Sequence, residues 1–415
     1  MSGPGRAAVA PPLRRDAVTA AGYSAVVTWG WFVFASGPIL PLVGLDLGLS
    51  KTLVGLHATF LSVGSVASAP LLTPLVRRLR RYGAMSVGAA CVSLAAVLLS
   101  VGSLLPGWGL ALTLLGMVSA GFGGTLLIGT STAVLDGHHG RSSNAAVSEA
   151  NGLGSGLGMC APLLVGAFVA LGLTWRPALL LLVPLAGAGV LLVRRVLTAD
   201  RRGDVDASSL RASPAPGRDA SGRRTPLPRR VWVILAVVMC GVGSEVSLNT
   251  WSAELLRERT VLEEAGASAF VAAFAAGMTV GRFVAVPLAR RWTSAALLRA
   301  AVVLAGGGFA LLWVSTLAST GWVSLAVVGL AFAGAGAGAF FPIGVAWLVR
   351  STAGQSERGM TAVSVGVGAS AGLVPFSVGV LADLVGIHLA LLAIPVGIAL
   401  VTLGLAVLAR ARVHD

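Results

Sequence analysis

The sequence is built from apolar blocks of twenty or more residues, long enough to cross a bilayer core of ~30 Å as helices. Twelve such blocks can be read, at roughly 20–42, 52–74, 84–105, 109–134, 144–171, 177–197, 231–256, 267–289, 295–315, 322–348, 359–384 and 388–409. Hydrocarbon offers the backbone no hydrogen-bond partners, so a spanning segment must be a helix or part of a closed barrel. These blocks are too long and too uniformly apolar for barrel strands. Composition agrees: 56% of the residues are hydrophobic and 11% charged, with a mean hydropathy of +0.88, against ~25% charged in a soluble domain. The expected fold class is an all-α integral membrane protein of twelve transmembrane helices.

A formal net charge of +14 invites a nucleic-acid reading, but the placement of the charges argues against one. With the N-terminus inside, only Lys51, Arg176, Arg257 and Arg259 fall at outer loops or helix ends. Most of the other arginines lie in the N-terminal tail, the alternate loops (Arg77, Arg78, Arg80, Arg81, Arg141, Arg290, Arg291, Arg350, Arg358), the central linker and the C-terminal tail, while Arg282 lies inside a helix. This positive-inside pattern puts both termini in the cytoplasm. Residues 1–19 are polar and the first apolar block is a full span, so no cleavable signal peptide is expected. Cys91, Cys160 and Cys240 stand singly in apolar helices, as small core residues do, and no metal site or cofactor is expected.

The chain also repeats itself. At an offset of 213 residues, "GSVASAPLLTPLVRR" (64–78) falls on "GMTVGRFVAVPLARR" (277–291), "GMVSAGFG" (116–123) on "GLAFAGAG" (329–336), and "PLLVG" (162–166) on "PFSVG" (375–379). Three coincidences at one offset argue for duplication of a six-helix unit. The expected organisation is a tail (1–19), a first six-helix half (20–197), a linker (198–230), a second half (231–409) and a short tail (410–415). The linker, charged and rich in Pro, Gly and Ser, reads as a cytoplasmic tether. Parallel six-helix repeats are a construction of secondary transporters.

Over essentially its whole length the chain resembles the major facilitator superfamily. "PLVRRLRRYG" (74–83) occupies the place of that superfamily's basic loop, without the usual aspartate, and the second copy "GRFVAVPLARRW" (281–292) also lacks the acid. Within the superfamily, "GSEVSLNTW" (243–251), the Gly-Arg of the eighth span and "WGWFVFASGPILP" (29–41) resemble the fucose permease-like branch of sugar:proton symporters. That branch carries acids on its first and fourth helices. Here Gly37 stands at the first position, and "GFGGTLLIGTSTAVL" (121–135) has no acid. If coupling to protons exists, acids elsewhere must carry it.

Ionisable groups within spans are costly, by ~2.5–3.5 kcal/mol on insertion scales, and therefore face a cavity or a partner. Glu149, Glu245, Arg282 and His57 are the candidates. Glu245, Asn249 and Ser252 share one helix face, a polar stripe suited to a water-filled cavity in which the carboxyl carries a proton; a fixed interhelical hydrogen bond is the alternative. Glu149 and Arg282 fall at similar depth on the fifth and eighth helices, which face each other in the superfamily, so an inner gate pair is expected, with a permanent bridge as its rival. The glycines at 152, 154, 156 and 158 read as helix packing. His57 can move protons or simply fill a buried site, and Asp46 and Asp383 lie at helix ends, away from the centre.

The resulting reading is a secondary transporter, not an enzyme. It moves a small molecule across the plasma membrane of a bacterium by alternating access, as a monomer among lipids and coupled to protons through Glu245 and Glu149. The expected midplane pocket lies between helices 1, 4, 5, 7, 8, 10 and 11, lined by Trp29, Phe34, Thr130, Asn151, Asn249, Trp251 and Phe340 beside Glu245. Its closest rival is a proton-coupled exporter of drugs or metabolites. A membrane-embedded enzyme would need clustered His, Asp or Ser; His138 and His139 have only Asp136 beside them.

Overall fold

The computed structural model describes residues 13, 15–201, 226–289, 291–317, 322–352 and 355–411. Most of the N-terminal tail, most of the linker (202–225) and the last four residues lie outside the described residues, so the expectations placed on them stay sequence-based. In chain order the helices are α1 (Ala17–Leu47), α2 (Lys51–Gly102), α3 (Gly109–His139), α4 (Ser143–Gly158), α5 (Cys160–Ala170), α6 (Arg176–Leu180), α7 (Leu182–Arg201), α8 (Arg229–Arg259), α9 (Glu264–Leu288), α10 (Ser294–Ser315), α11 (Val323–Arg350), α12 (Ser356–Val385), α13 (Ile387–Ala390) and α14 (Ala393–Ala411). Among the described residues, eleven stretches are long and apolar enough to cross a membrane, α2 being counted once through Pro70–Gly102.

α2 supplies two crossings. Its 52 residues would reach ~78 Å if straight, far more than one bilayer. The chain instead reverses at Arg80, whose φ of 59° and ψ of 174° interrupt the helix. Gly64 and Gly88, on opposite sides of that turn, both abut α3, near Val118 and Gly123 respectively. Arg81 steadies the turn by donating to the Ala133 carbonyl at 2.8 Å. Arg80 occupies a backbone region that is almost glycine-only and costs a side-chain residue ~1–3 kcal/mol. Arg80→Gly is therefore expected to raise the melting temperature of the purified protein, by an amount equivalent to ~1 kcal/mol; an unchanged or lower value would mean that the turn is not strained.

The duplication is visible in the packing. A Cβ on Gly64 would strike the Val118 carbonyl, and one on Gly277 the Ala331 carbonyl; Gly121 meets Leu61 as Gly334 meets Phe274, and Gly123 meets Gly88 as Gly336 meets Ala301. Every pair is separated by the same 213 positions. Small residues are retained there because only a missing side chain lets the helix backbones approach so closely. Gly334→Val is expected to cost ~1–3 kcal/mol by overpacking. Gly156→Val, whose Cβ position has nothing within 4 Å, should be nearly neutral in the same melting assay.

α1–α7 form one half and α8–α14 the other. The halves meet where α1 packs on α8, α2 on α12, and α4 and α5 on α9. With six crossings per half, α1 begins, α7 ends, α8 begins and α14 ends at the same end of the bundle, the tail-bearing end. Exposed apolar residues such as Leu171, Val303 and Leu384 face outward as lipid requires. Trp108, Trp232 and Trp322 are likewise exposed near helix ends, where amphipathic rings suit a membrane–water boundary. At the start of α1, Asp16 accepts from the Thr19 N–H at 3.0 Å and pairs with His138 at 2.7 Å. Partial burial opposes its charge, but these hydrogen bonds outweigh that and hold the Asp16 carboxyl below the usual carboxylate range.

Candidate functional site at the meeting of the two halves

Glu245 on α8 and Arg282 on α9 face each other, with Oε1 3.7 Å from Nη2. Arg282 also donates to the Ser155 hydroxyl on α4 at 2.8 Å, across the boundary between the halves, and to the Gly338 carbonyl on α11 at 3.4 Å. One guanidinium thus ties three helices of two halves. The fork geometry of arginine, with five donors in a plane, makes that possible. Glu245 is less well served: its Oε2 is buried and has no hydrogen-bond partner among the described residues. One turn on, Asn249 donates to the Val33 carbonyl of α1 at 3.1 Å, while its Oδ1 is buried and unpartnered. Ser252, the third member of the stripe, turns back to the Leu248 carbonyl of its own helix.

The expected pairing of Arg282 with Glu149 is not made in this conformation. Glu149 is held instead by Arg15, with Oε1 2.8 Å from Nε and Oε2 3.1 Å from Nη2. The reason is rotation around α4. Gly152 and Ser155 face α9, against Phe283 and Arg282. Glu149 lies six residues before Ser155, about 120° around the helix, beside the packing of Ala146 and Ala150 on Tyr23 of α1. Similar depth did not mean a shared face.

The residues expected to line a midplane pocket are mostly packing residues here. Trp251 is buried, donates to the Pro375 carbonyl of α12 at 3.0 Å, and lies against the Cβ positions of Gly55 and Gly379. Phe340 covers Gly241, Phe34 covers Gly158, and Trp29 stacks on Phe32 at 5.9 Å and covers Gly124. Thr130 donates to the Leu126 carbonyl of its own helix, and Asn151, although exposed, to its own Val147 carbonyl. His57 is buried, with Nδ1 2.9 Å from the Leu53 carbonyl and Nε2 2.9 Å from the Thr113 hydroxyl, a hydrogen-bonded filler.

Away from the tails, the halves are clasped by residues the sequence had set aside. Asp383 at the end of α12 accepts from the N–H groups of Lys51 and Thr52 at 2.9 and 2.8 Å, capping the first turn of α2 in the other half. Lys51 Nζ reaches Glu258 at 2.7 Å and Glu254 at 3.8 Å on α8. Arg257 braces Glu254 at 2.8 Å. Deeper in, a Cβ on Gly37 of α1 would collide with the Asn249 carbonyl. This far end is closed. The opposite charges at helix ends were a visible signal, but not which ends would meet.

The tail-bearing end is hollowed. A cavity of about 730 Å³ lies between α8, α9, α10, α11 and the end of α14, with Arg282 in its wall and Arg230, Trp292, Trp347 and Arg350 around it. Of the residues singled out in the sequence, only Arg282 lines it. This cavity lies within the second half, apart from the other residues expected to line a midplane pocket.

Two repeated six-span halves, clasped at one end and hollow beside Arg282 at the other, have the architecture of a multi-pass membrane transporter. The Major Facilitator Superfamily matches the chain over residues 22–330, well over half its length, and the chain belongs to that superfamily. No curated protein matches the sequence. Among solved structures, the fold is similar to the transporter FucP in the outward conformation, with 16% identity, 94% of this chain and 99% of that one covered, and a TM-score of 0.61. It is also similar to the xylose transporter XylE from E. coli in a partially occluded inward open conformation (13%, 95% and 98% covered, TM-score 0.71) and to the nucleoside transporter NupG (13%, 94% and 98%, 0.67).

Proposed function

We propose that this transporter moves a small organic solute by alternating access and couples the movement to protons through Glu245. The observation that carries the proposal is the Glu245–Arg282 pair: a half-buried carboxylate with one buried, unpartnered oxygen, opposite a guanidinium bonded to both halves. Protonating Glu245 removes the charge that holds Arg282, so the pair can link proton binding to the contact between halves. The arginine distribution supports a cytoplasmic location for both termini, the linker and the hollow end, in a bacterial plasma membrane. On that orientation the clasped far end faces outward and the conformation is inward-facing. Glu149, paired with Arg15 at the cytoplasmic end, is assigned to the inner gate rather than to proton carriage.

The test is reconstitution into proteoliposomes containing a pH-sensitive dye, challenged with sugars, nucleosides, peptides and organic acids. A solute-dependent proton flux is expected, and it should vanish in Glu245→Gln. Solute movement down its own gradient without any proton flux would overturn the coupling.

A further inference from the structure

The cavity at the tail-bearing end has a marked charge character. Among the described residues that line it, the charged groups are Arg230, Arg282 and Arg350, and there is no carboxylate. Arg350 is directed by a 2.7 Å hydrogen bond to the Ser294 hydroxyl, itself a lining residue at the first turn of α10. Arg230, at the start of α8, has no partner among the described residues and remains available to solvent. Trp292 and Trp347 add aromatic surface, and Ala285, Ile343 and Leu297 make the remaining wall apolar. A chamber of this kind suits a solute with a compact negative group on an apolar or aromatic body. Guanidinium groups bind carboxylates with two parallel hydrogen bonds, and low-dielectric walls focus the attraction of a one-signed cleft.

Arg230 and Arg350 lie at helix ends, where arginine is common on this side of a membrane. Arg282 does not. It sits in the innermost wall, and its only acidic partner among the described residues, Glu245, is at 3.7 Å, beyond hydrogen-bond range. A solute carboxylate that enters the cavity and reaches Arg282 would share the guanidinium with Glu245. Two carboxylates on one guanidinium repel each other, so the solute binds best when Glu245 is protonated and neutral. One proton on Glu245 and one anion on Arg282 would then keep the site's net charge unchanged.

Resting on the transport reading above, we infer that the solute is an organic anion, a carboxylate with an apolar or aromatic body, and that Arg282 is its receptor in exchange with Glu245. The probe is benzoate, ionised on both sides of neutrality, with neutral benzamide and cationic benzylamine as comparisons. Each is titrated calorimetrically into the purified full-length protein in neutral detergent.

Benzoate is expected to bind at least ~10-fold more tightly on the acid side of neutrality than on the alkaline side, a difference of ~1.4 kcal/mol. Benzamide and benzylamine should bind no better than background. Glu245→Gln should bind benzoate as tightly in alkali as the parent does in acid. Arg282→Gln should lose binding while eluting as the parent does in gel filtration, and Arg282→Lys, which keeps the charge, should restore part of it.

Equal binding of benzamide, preference for benzylamine, no benzoate binding at all, or full benzoate affinity in Arg282→Gln would each overturn the inference. So would displacement of nothing but phosphatidylglycerol from mixed micelles, which would make the cavity a lipid-headgroup site. None of these touches the transport reading: a neutral solute moved with protons in the proteoliposome assay would leave that reading intact and this one refuted.

Discussion

Proteoliposomes carrying Glu245→Gln are expected to equilibrate solute but not to concentrate it. Glutamine keeps the shape of the side chain, and Arg282 keeps its hydrogen bonds to Ser155 and Gly338, so the helix contacts around α8, α9 and α4 are retained. It cannot take up a proton. In the parent, a proton and a monoanion moving together carry no net charge, so the pH difference drives them: one unit is worth ~1.4 kcal/mol and holds a roughly tenfold solute gradient. The variant should bring that ratio to one while counterflow, which needs binding and isomerisation only, continues. Glu245→Ala should behave worse than Glu245→Gln. It leaves the half-buried Arg282 guanidinium without its counter-charge, at a cost below the ~3–5 kcal/mol of a fully buried pair. Retained accumulation in Glu245→Gln would make Glu245 a structural group and remove the basis of proton coupling at this site.

Helix placement was legible in the sequence because hydrocarbon imposes one solution on long apolar blocks, and the 213-residue offset is written in glycines that the packing needs. The turn at Arg80 was legible as a basic loop, but not as a strained one, since nothing local announces that an arginine would take a glycine conformation. Glu245 and Arg282 were both picked out because charge inside a span is costly. Their pairing with each other was missed: depth along a helix follows from residue number, but the face presented to another half depends on how the halves are rotated. The same limit hid Ser155. Trp251 was expected to line the pocket beside Asn249, yet a helix turns ~100° per residue, and two steps carry it to the opposite side. There it closes on Pro375.

Asp383→Asn is expected to open the far end. The carboxylate accepts the N–H groups of Lys51 and Thr52 from the other half, so it acts at once as a cap, a counter-charge to the start of α2 and a clasp between halves. Loss of a capping acceptor costs ~0.5–2 kcal/mol, and the charge at a helix N-terminus is worth another ~0.3–1 kcal/mol. A change of ~1–2 kcal/mol moves a two-state equilibrium ~5–30-fold, enough to turn a minor far-end-open population into a major one. Adding Lys51→Ala, which releases Glu258 and Glu254 as well, should move it further. Spin labels at Leu105 and Leu384, exposed residues of the first and second half, would report the change as a longer distance, with Cys91, Cys160 and Cys240 replaced to keep labelling specific. The control is Asp46→Asn. Asp46 accepts from Arg176 at 2.7 Å and Trp175 at 2.9 Å near the same end, but all three belong to the first half, so its loss should leave the interspin distance where it was. If Asp383→Asn and Asp46→Asn give the same distribution as the parent, the clasp does not set the conformational equilibrium, and closure of the far end rests on the apolar contacts around Trp251 and Gly37 alone.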